Sequence, residues 1–171
     1  MITRCTGVTT WPRAPTIASI NPVSSGLASG PAWEMQLAEW LRPDREYPLF
    51  IEGGSLYGVA RNWFGLEGIS QIMYDDRDLF EEVVATLADV IVSVLEHTLS
   101  AGVRPEAASM WEDMCFSGGP LMSPKIFKEV LVPHYQRITG TLNRYGVDII
   151  FLDCDGKIDA LAPLWLDAGV N

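Results

Sequence analysis

The sequence has few basic residues for its length. Its 171 residues include 12 Lys and Arg against 22 Asp and Glu, which gives a formal net charge of −10. Nucleic-acid backbones and anionic membrane surfaces are bound through clustered Lys and Arg, and the sequence has no such cluster. The composition therefore predicts neither a nucleic-acid partner nor a membrane partner.

Cysteines and long apolar runs are also scarce. Cys5, Cys115 and Cys154 are odd in number and widely spaced, which argues against a disulfide framework and for a reducing compartment. No stretch has the length and apolarity of a transmembrane helix. Arg4 is not followed by the apolar region of a signal peptide. We therefore expect a cytoplasmic protein.

The remaining composition is typical of a folded domain, because 48% of the residues are hydrophobic. The first 30 residues or so are rich in Thr, Ser, Pro and Gly and have no period of 2 or 3.6. Residues 33–41 have the pattern of one short helix. We predict an irregular leader or arm over residues 1–45 and a folded domain over residues 46–171.

The folded part alternates apolar runs with amphipathic stretches, the pattern of strands and helices in turn. Acidic or serine caps precede the two longer amphipathic stretches and a glycine follows each stretch, as at helix ends. Pro133 predicts a kink, because proline lacks the N–H and its ring clashes with the preceding turn. The predicted elements are a strand at 48–52, a helix from 75–78 to about 102, a strand at 107–111, a helix at 123–146, a strand at 148–152 and a helix at 158–168.

This alternation predicts βαβ units and a parallel sheet. An open doubly wound sheet and a barrel both satisfy it. A complete (β/α)8 barrel typically needs about 250 residues, so the sequence provides about three βα units of one. Val170 and Asn171 have the apolar-to-polar pattern of a further strand start.

Carboxylates follow each of the three predicted strands. Glu52 ends the first, Glu112 and Asp113 follow the second, and Asp153 and Asp155 follow the third. The carboxyl ends of parallel strands meet at one edge of a sheet, where ligands bind. Carboxylates gathered there can bind a metal ion, hold a cation or share protons.

Structural explanations exist for the same residues. Asp155 with Gly156 is also typical of a turn before a helix, and Glu112 with Asp113 of a solvated loop. Cys154 lies between two aspartates, which raise a thiol pKa, so it is either a small packing residue or a metal ligand. Trp111 belongs either to the core or to a pocket wall.

Several motifs have the spacing of a known family. They are Gly54-Ser55-Leu56-Tyr57-Gly58, Trp111-Glu112-Asp113, the stretch GPLMSPKIF at 119–127, Pro133-His134-Tyr135 and the segment 147–156. With them the chain resembles the uroporphyrinogen decarboxylase-like superfamily, which includes that decarboxylase and the methylcobalamin:coenzyme M methyltransferases. The resemblance implies an α/β fold, a partial (β/α)8 TIM barrel of about three βα units with an irregular N-terminal arm.

The resemblance also implies a function. It indicates an enzyme acting on a small-molecule substrate, namely a tetrapyrrole, a corrinoid-borne methyl group or another small molecule, with a corrinoid protein as a possible partner. The implied catalytic residues are Asp153, Asp155, Glu112 and Asp113, and the implied substrate-binding residues are Ser55, Trp111 and Tyr57, the last at the rim of the site.

The same resemblance points to a metal position. Asp153 and Asp155 stand where the methyltransferases have the His and Cys ligands of a zinc ion, so Asp153, Cys154 and Asp155 are the candidate ligands here. Carboxylate oxygens suit a harder divalent cation than zinc.

A non-catalytic role is the alternative hypothesis. A truncated or degenerate barrel exposes strand edges and apolar helix faces. Such a chain is expected to form a homo-oligomer and to act as a binding or scaffold subunit.

Overall fold

A computed structural model of the chain describes residues 18–20 and 30–171. Strands and helices alternate along it, as the sequence predicts. The elements in chain order are β1 (Ala18–Ile20), α1 (Pro31–Trp40), β2 (Leu49–Gly54), α2 (Tyr57–Asp75), α3 (Arg77–Ser100), β3 (Ala107–Trp111), β4 (Cys115–Phe116), β5 (Gly119–Pro120), α4 (Pro124–Ile126), a π-helical segment (Phe127–Leu131), α5 (Val132–Arg144), β6 (Ile150–Asp153) and α6 (Ala162–Asp167).

The main sheet has the order β1-β2-β3-β6, and each neighbouring pair is parallel. Ile51 lies opposite Ala108, which in turn lies opposite Ile150. The three predicted strands are thus confirmed as β2, β3 and β6. In the part of the chain that the structure describes, the outer strands β1 and β6 do not pair, so the fold is a partial α/β barrel that is not closed.

Strand β1 corrects one sequence-based expectation. It lies in the leader that was predicted to be irregular, yet Ala18 pairs with Leu49 and Ile20 with Ile51. A strand of three residues is too short to give a recognisable period of 2. Its position is therefore set by pairing with β2 rather than by local sequence.

The core lies between the sheet and the helices. Leu49, Ile51, Met110 and Ile150 are fully buried or nearly so on one face of the sheet. Helix α3 covers them with a stripe at steps of three and four residues, as predicted. The fully or largely buried members of that stripe are Phe80, Val84, Leu87, Ile91, Leu95 and Leu99.

The opposite face of the sheet is open in the described residues. Because successive side chains of a strand point to opposite sides, Phe50 and Phe151 share this face, and their rings are 5.7 Å apart. The side chains of Ile149 and Phe151 are 58% and 39% exposed. Helices thus cover one face of the sheet, whereas the other face is apolar and has no helix packed on it in the described residues.

Helix α2 was not predicted from the sequence. Its outer surface carries Trp63, Phe64 and Leu66, all exposed, so no single apolar stripe marks the helix. Gly65 also interrupts it with φ 74° and ψ 164°, a conformation that favours glycine. Two short helical pieces joined at Gly65 give a weaker pattern than one continuous helix.

The predicted helix ends are largely confirmed. The side chain of Asp76 accepts a hydrogen bond from Leu79 N at 3.2 Å, and the Ser123 hydroxyl accepts one from Ile126 N at 3.2 Å, as N-cap residues do. The predicted kink at Pro133 takes the form of the π-helical segment immediately before α5, because proline cannot continue the regular hydrogen-bond ladder.

The C-terminal part differs slightly from the prediction. Helix α6 is shorter than residues 158–168. Asn171 lies beside β6, where its backbone N donates to Ile150 O at 2.8 Å and its side chain donates to Asp148 O at 2.7 Å. Val170 and Asn171 therefore do not form the predicted strand start, although Asn171 is hydrogen-bonded to the beginning of β6. No helix in the described part of the chain combines the length and the apolarity needed to cross a bilayer.

An ion pair between Arg45 and Glu106 lies next to the start of β2. The Glu106 carboxylate accepts from Arg45 at 2.8 Å and from Leu49 N at 2.6 Å, and the Arg45 hydrogen bond lowers the pKa of Glu106. A lowered carboxyl pKa gives stability above the unfolded-state pKa that is lost as pH falls through the folded-state pKa. The side chain of Glu106 is half exposed, so screening keeps the effect small.

We therefore expect Glu106→Gln to lower the free energy of unfolding by about 1 kcal/mol near neutral pH and by less at about pH 3. Urea unfolding at both pH values measures this. Glu96→Gln is the matched control, because it removes an ion pair to Arg144 between two exposed side chains. A pH-independent loss in Glu106→Gln would contradict the prediction.

Candidate functional site

Two cavities lie at the carboxyl end of the sheet, one on each side of the first half of α2. We name them the apolar cavity, of about 340 Å³, and the polar cavity, of about 570 Å³. The apolar cavity is lined by Glu52, Gly54, Ser55, Val59, Trp63, Thr86, Leu87, Val90, Ile91 and Trp111. The polar cavity is lined by Arg61, Asn62, Leu66, Asp113, Cys115, Phe116, Leu121 and Asp155.

Two of the predicted substrate-binding residues, Ser55 and Trp111, line the apolar cavity. The Trp111 Nε1 donates to Glu52 Oε1 at 3.3 Å, which fixes the indole against the end of β2. Trp63 is 68% exposed and forms part of the opposite wall. The cavity is thus a largely aromatic and aliphatic surface with one carboxylate, which is already hydrogen-bonded.

The polar cavity is lined by one cation and two carboxylates. Arg61, on α2, donates from Nη1 to Asp113 O at 2.6 Å, and its Nη2 lies 3.5 Å from Asp113 Oδ2. Asp155, from the segment after β6, lines the same cavity. The predicted catalytic residues Asp113 and Asp155 are therefore brought to one site.

Asp113 has an unusual backbone. Its φ is 41°, and it has the only positive φ of a non-glycine residue in the described part of the chain. Such a conformation costs roughly 1–3 kcal/mol and persists where surrounding contacts hold it. Here the contacts are the Arg61 hydrogen bond and ion pair, which hold the Asp113 carboxylate at the cavity wall.

The neighbouring carboxylate, Glu112, is placed differently. It is fully buried and accepts hydrogen bonds from Leu56 N at 2.8 Å, from Tyr57 N and Gly58 N at 2.9 Å, and from the Ser55 hydroxyl at 3.0 Å. It thereby satisfies the free N–H groups at the start of α2, as a capping carboxylate does.

A fifth donor, the Tyr135 hydroxyl of α5, also binds the Glu112 carboxylate. Burial raises the pKa of Glu112, and these hydrogen bonds oppose that rise. Burial and the Glu112 carboxylate together raise the pKa of Tyr135 well above its usual value. Both oxygens of Glu112 are engaged by protein donors, and Glu112 lines neither cavity.

Tyr57 corrects another expectation. It was predicted at the rim of the site, but it is fully buried, and burial raises its pKa. The physical reason is that its backbone N–H is bound to Glu112 in the first turn of α2, which turns the side chain into the core. Its hydroxyl makes no hydrogen bond with a described residue.

The predicted metal ligands do not come together. Asp153 is exposed at the end of β6 and lines neither cavity, while the Cys154 thiol donates to Asp155 O at 3.5 Å. Within residues 18–20 and 30–171, no three His, Cys, Asp or Glu side chains form a group that could hold a metal ion. The residues present therefore do not fit a metal site.

Arg61 and Asn62 are site residues that the sequence analysis missed. Both lie on α2, the helix that was not predicted. Arg61 is one helical turn after Tyr57 and three residues after the end of the motif Gly54–Gly58. Recognition of α2 would have placed Arg61 at the same edge of the sheet as Asp113.

The Glu112 contacts yield a second prediction. Glu112→Gln replaces one carboxylate oxygen with an NH₂ group that faces N–H donors, so we expect the free energy of unfolding to fall by roughly 2–3 kcal/mol. Urea unfolding measures the loss. Asp113→Asn is the control, since asparagine tolerates positive φ, and we expect a change within about 0.5 kcal/mol. Equal effects of the two variants would contradict the assignment of Glu112 as a structural cap.

Comparison with known proteins gives three results. A family model described as uroporphyrinogen decarboxylase (URO-D) matches residues 46–171. A search of curated proteins found no match.

A solved structure, a methyltransferase from Methanosarcina mazei, is similar to the chain with a TM-score of 0.57 and 17% sequence identity. The similarity covers 77% of this chain and 36% of the methyltransferase chain, so the present chain spans about a third of that protein. At this identity the likeness shows the fold alone. Together with the family match over most of the sequence, it confirms the predicted family: the chain belongs to the uroporphyrinogen decarboxylase family.

Proposed function

We propose that the chain forms part of an enzyme site that binds a small molecule in the polar cavity. The substrate class is a tetrapyrrole, a corrinoid-borne methyl group or a related small molecule. The observation that carries the proposal is the pairing of Arg61 with Asp113, whose strained backbone holds its carboxylate at the carboxyl end of β3. Strained residues cluster at functional sites.

The charges of the polar cavity support binding and proton transfer. Asp113 and Asp155 can accept hydrogen bonds from the N–H groups of a ring substrate or exchange a proton with it. Arg61 can bind a substrate carboxylate with two N–H groups at once. A substrate carboxylate that approaches Arg61 competes with the Asp113 carboxylate. Binding of the substrate is therefore coupled to release of Asp113 from Arg61.

The apolar cavity supports the same substrate class. Trp63 and Trp111 offer flat apolar surfaces, on which the rings of a large substrate pack favourably. Glu52 adds a carboxylate at one wall, with one of its oxygens bound by Trp111.

We expect Arg61→Ala to weaken the binding of a carboxylate-bearing ligand about tenfold, the equivalent of about 1.4 kcal/mol. Asp113→Asn should instead strengthen this binding, because it removes the carboxylate that competes for Arg61. Titration with uroporphyrin and separately with hydroxocobalamin, followed by quenching of tryptophan fluorescence, measures this. Asp153→Asn is the matched control, because Asp153 follows the neighbouring strand but lines neither cavity.

Two outcomes would overturn the proposal. If neither probe binds the unsubstituted chain, the proposed substrate class is wrong. If Asp153→Asn weakens binding while Arg61→Ala does not, the acidic end of β6 is the binding site and the polar cavity is not.

A second candidate function is that of a non-catalytic binding or scaffold subunit. The observation that favours it is the open face of the sheet, with Ile149 and Phe151 exposed beside Phe50. Exposed apolar faces and unpaired strand edges promote association. In this function a second copy of the chain covers the open face.

If the chain is a scaffold subunit, we expect the 171-residue chain to self-associate with increasing concentration in sedimentation experiments. Phe151→Asp should then give monomers, whereas Val90→Asp, on the exposed side of α3, should not. A monomer at all concentrations that unfolds cooperatively would rule out this second function.

A further inference from the structure

Two cysteines lie close together behind the polar cavity. Trp111 of β3 and Asp153 of β6 are register partners, and the segments that follow them remain side by side. Glu112 N donates to Asp153 O at 3.0 Å, and Lys157 N donates to Phe116 O at 2.9 Å. Cys115 and Cys154 fall between these two cross-links.

The contact between the two segments is tight. Gly156 has φ 84°, and a Cβ atom at this position would lie 2.6 Å from Cys115 O, a distance that no side chain tolerates. Only glycine therefore allows the backbone after Cys154 to approach the backbone of Cys115. The two hydrogen bonds and this close approach hold the segment that contains Cys115 directly against the segment that contains Cys154, as a disulfide between them requires.

Both cysteines are free of disulfide bonds in the structure, and each thiol influences the pKa of the other. Burial, followed by the neighbouring Cys154, raises the pKa of Cys115 to about 12. Burial also raises the pKa of Cys154. Cys115 is 5% exposed, whereas Cys154 is only partly buried, so reagents in solution reach Cys154 first.

We propose that Cys115 and Cys154 form a dithiol site that closes into an intramolecular disulfide by exchange with a small-molecule disulfide. The Cys154 sulfur, as thiolate, attacks one sulfur of the small disulfide and expels the other half as a thiolate. The Cys115 sulfur, after losing its proton to solvent, then attacks the Cys154 sulfur and expels the second half. Two protein thiols are oxidised, and one small disulfide is reduced to two thiols.

A disulfide between Cys115 and Cys154 would change the wall of the polar cavity. Cys115 lines that cavity, as does Asp155, which follows Cys154. A covalent bond between the two segments fixes the backbone that holds Asp155 against β4. Because thiols of raised pKa exchange slowly, the site responds to a sustained oxidising poise rather than to brief exposure.

The test uses the full chain with Cys5→Ser, so that only Cys115 and Cys154 remain. It is equilibrated in glutathione buffers of increasing disulfide content, quenched with acid, and alkylated, and its mass and peptide map are measured. We expect the two thiols to disappear together, without a retained glutathione, and the peptides that contain Cys115 and Cys154 to be linked.

The role of the fold is tested by the same titration in denaturing urea. We expect the folded chain to form the disulfide at a glutathione disulfide level at least about tenfold lower than the unfolded chain. Adding Cys115→Ala should stop the reaction at a mixed disulfide on Cys154. A mixed disulfide at Cys154 in the chain that retains both cysteines, or equal titrations in buffer and urea, would overturn the proposal.

Discussion

The buried carboxylate of Glu112 is the interaction on which the carboxyl end of the sheet depends. It comes from the residue immediately after β3, and it binds three successive N–H groups at the start of α2 and the hydroxyl of Tyr135 on α5. One side chain thus connects a strand with two helices. Both cavities lie against α2, so their shapes depend on a helix that this carboxylate holds in place.

The three residues of Trp111-Glu112-Asp113 have three separate surroundings. Trp111 faces the apolar cavity and binds Glu52, Glu112 points into the protein and binds α2, and Asp113 turns outward to Arg61. The left-handed backbone of Asp113 accounts for this last change of direction, because ordinary alternation alone does not bring it to the polar cavity. Three consecutive residues therefore contact three different parts of the protein.

Local sequence features predicted those parts of the fold that local physics determines. The apolar runs of β2, β3 and β6, the caps Asp76 and Ser123, and the distortion before Pro133 all act within a few residues. Contacts between distant segments had no such signal. The Glu112 carboxylate binds residues more than fifty positions away, so neither its burial nor that of Tyr57 could be inferred from spacing. The Arg61–Asp113 pair was hidden for the same reason, together with the weak pattern of α2.

Carboxylates follow each of the three predicted strands, as the sequence indicates, but proximity along an edge does not make them equivalent. Glu52 is bound by Trp111, Glu112 is enclosed by donors, and Asp153 lies outside both cavities. Asp113 and Asp155 alone of this set line a cavity that also holds a guanidinium group. Apolar surface contributes affinity roughly in proportion to its area, whereas proton transfer requires an ionisable group next to the ligand. In the proposed function, the apolar cavity therefore contributes binding area, and the polar cavity contributes the ionisable groups.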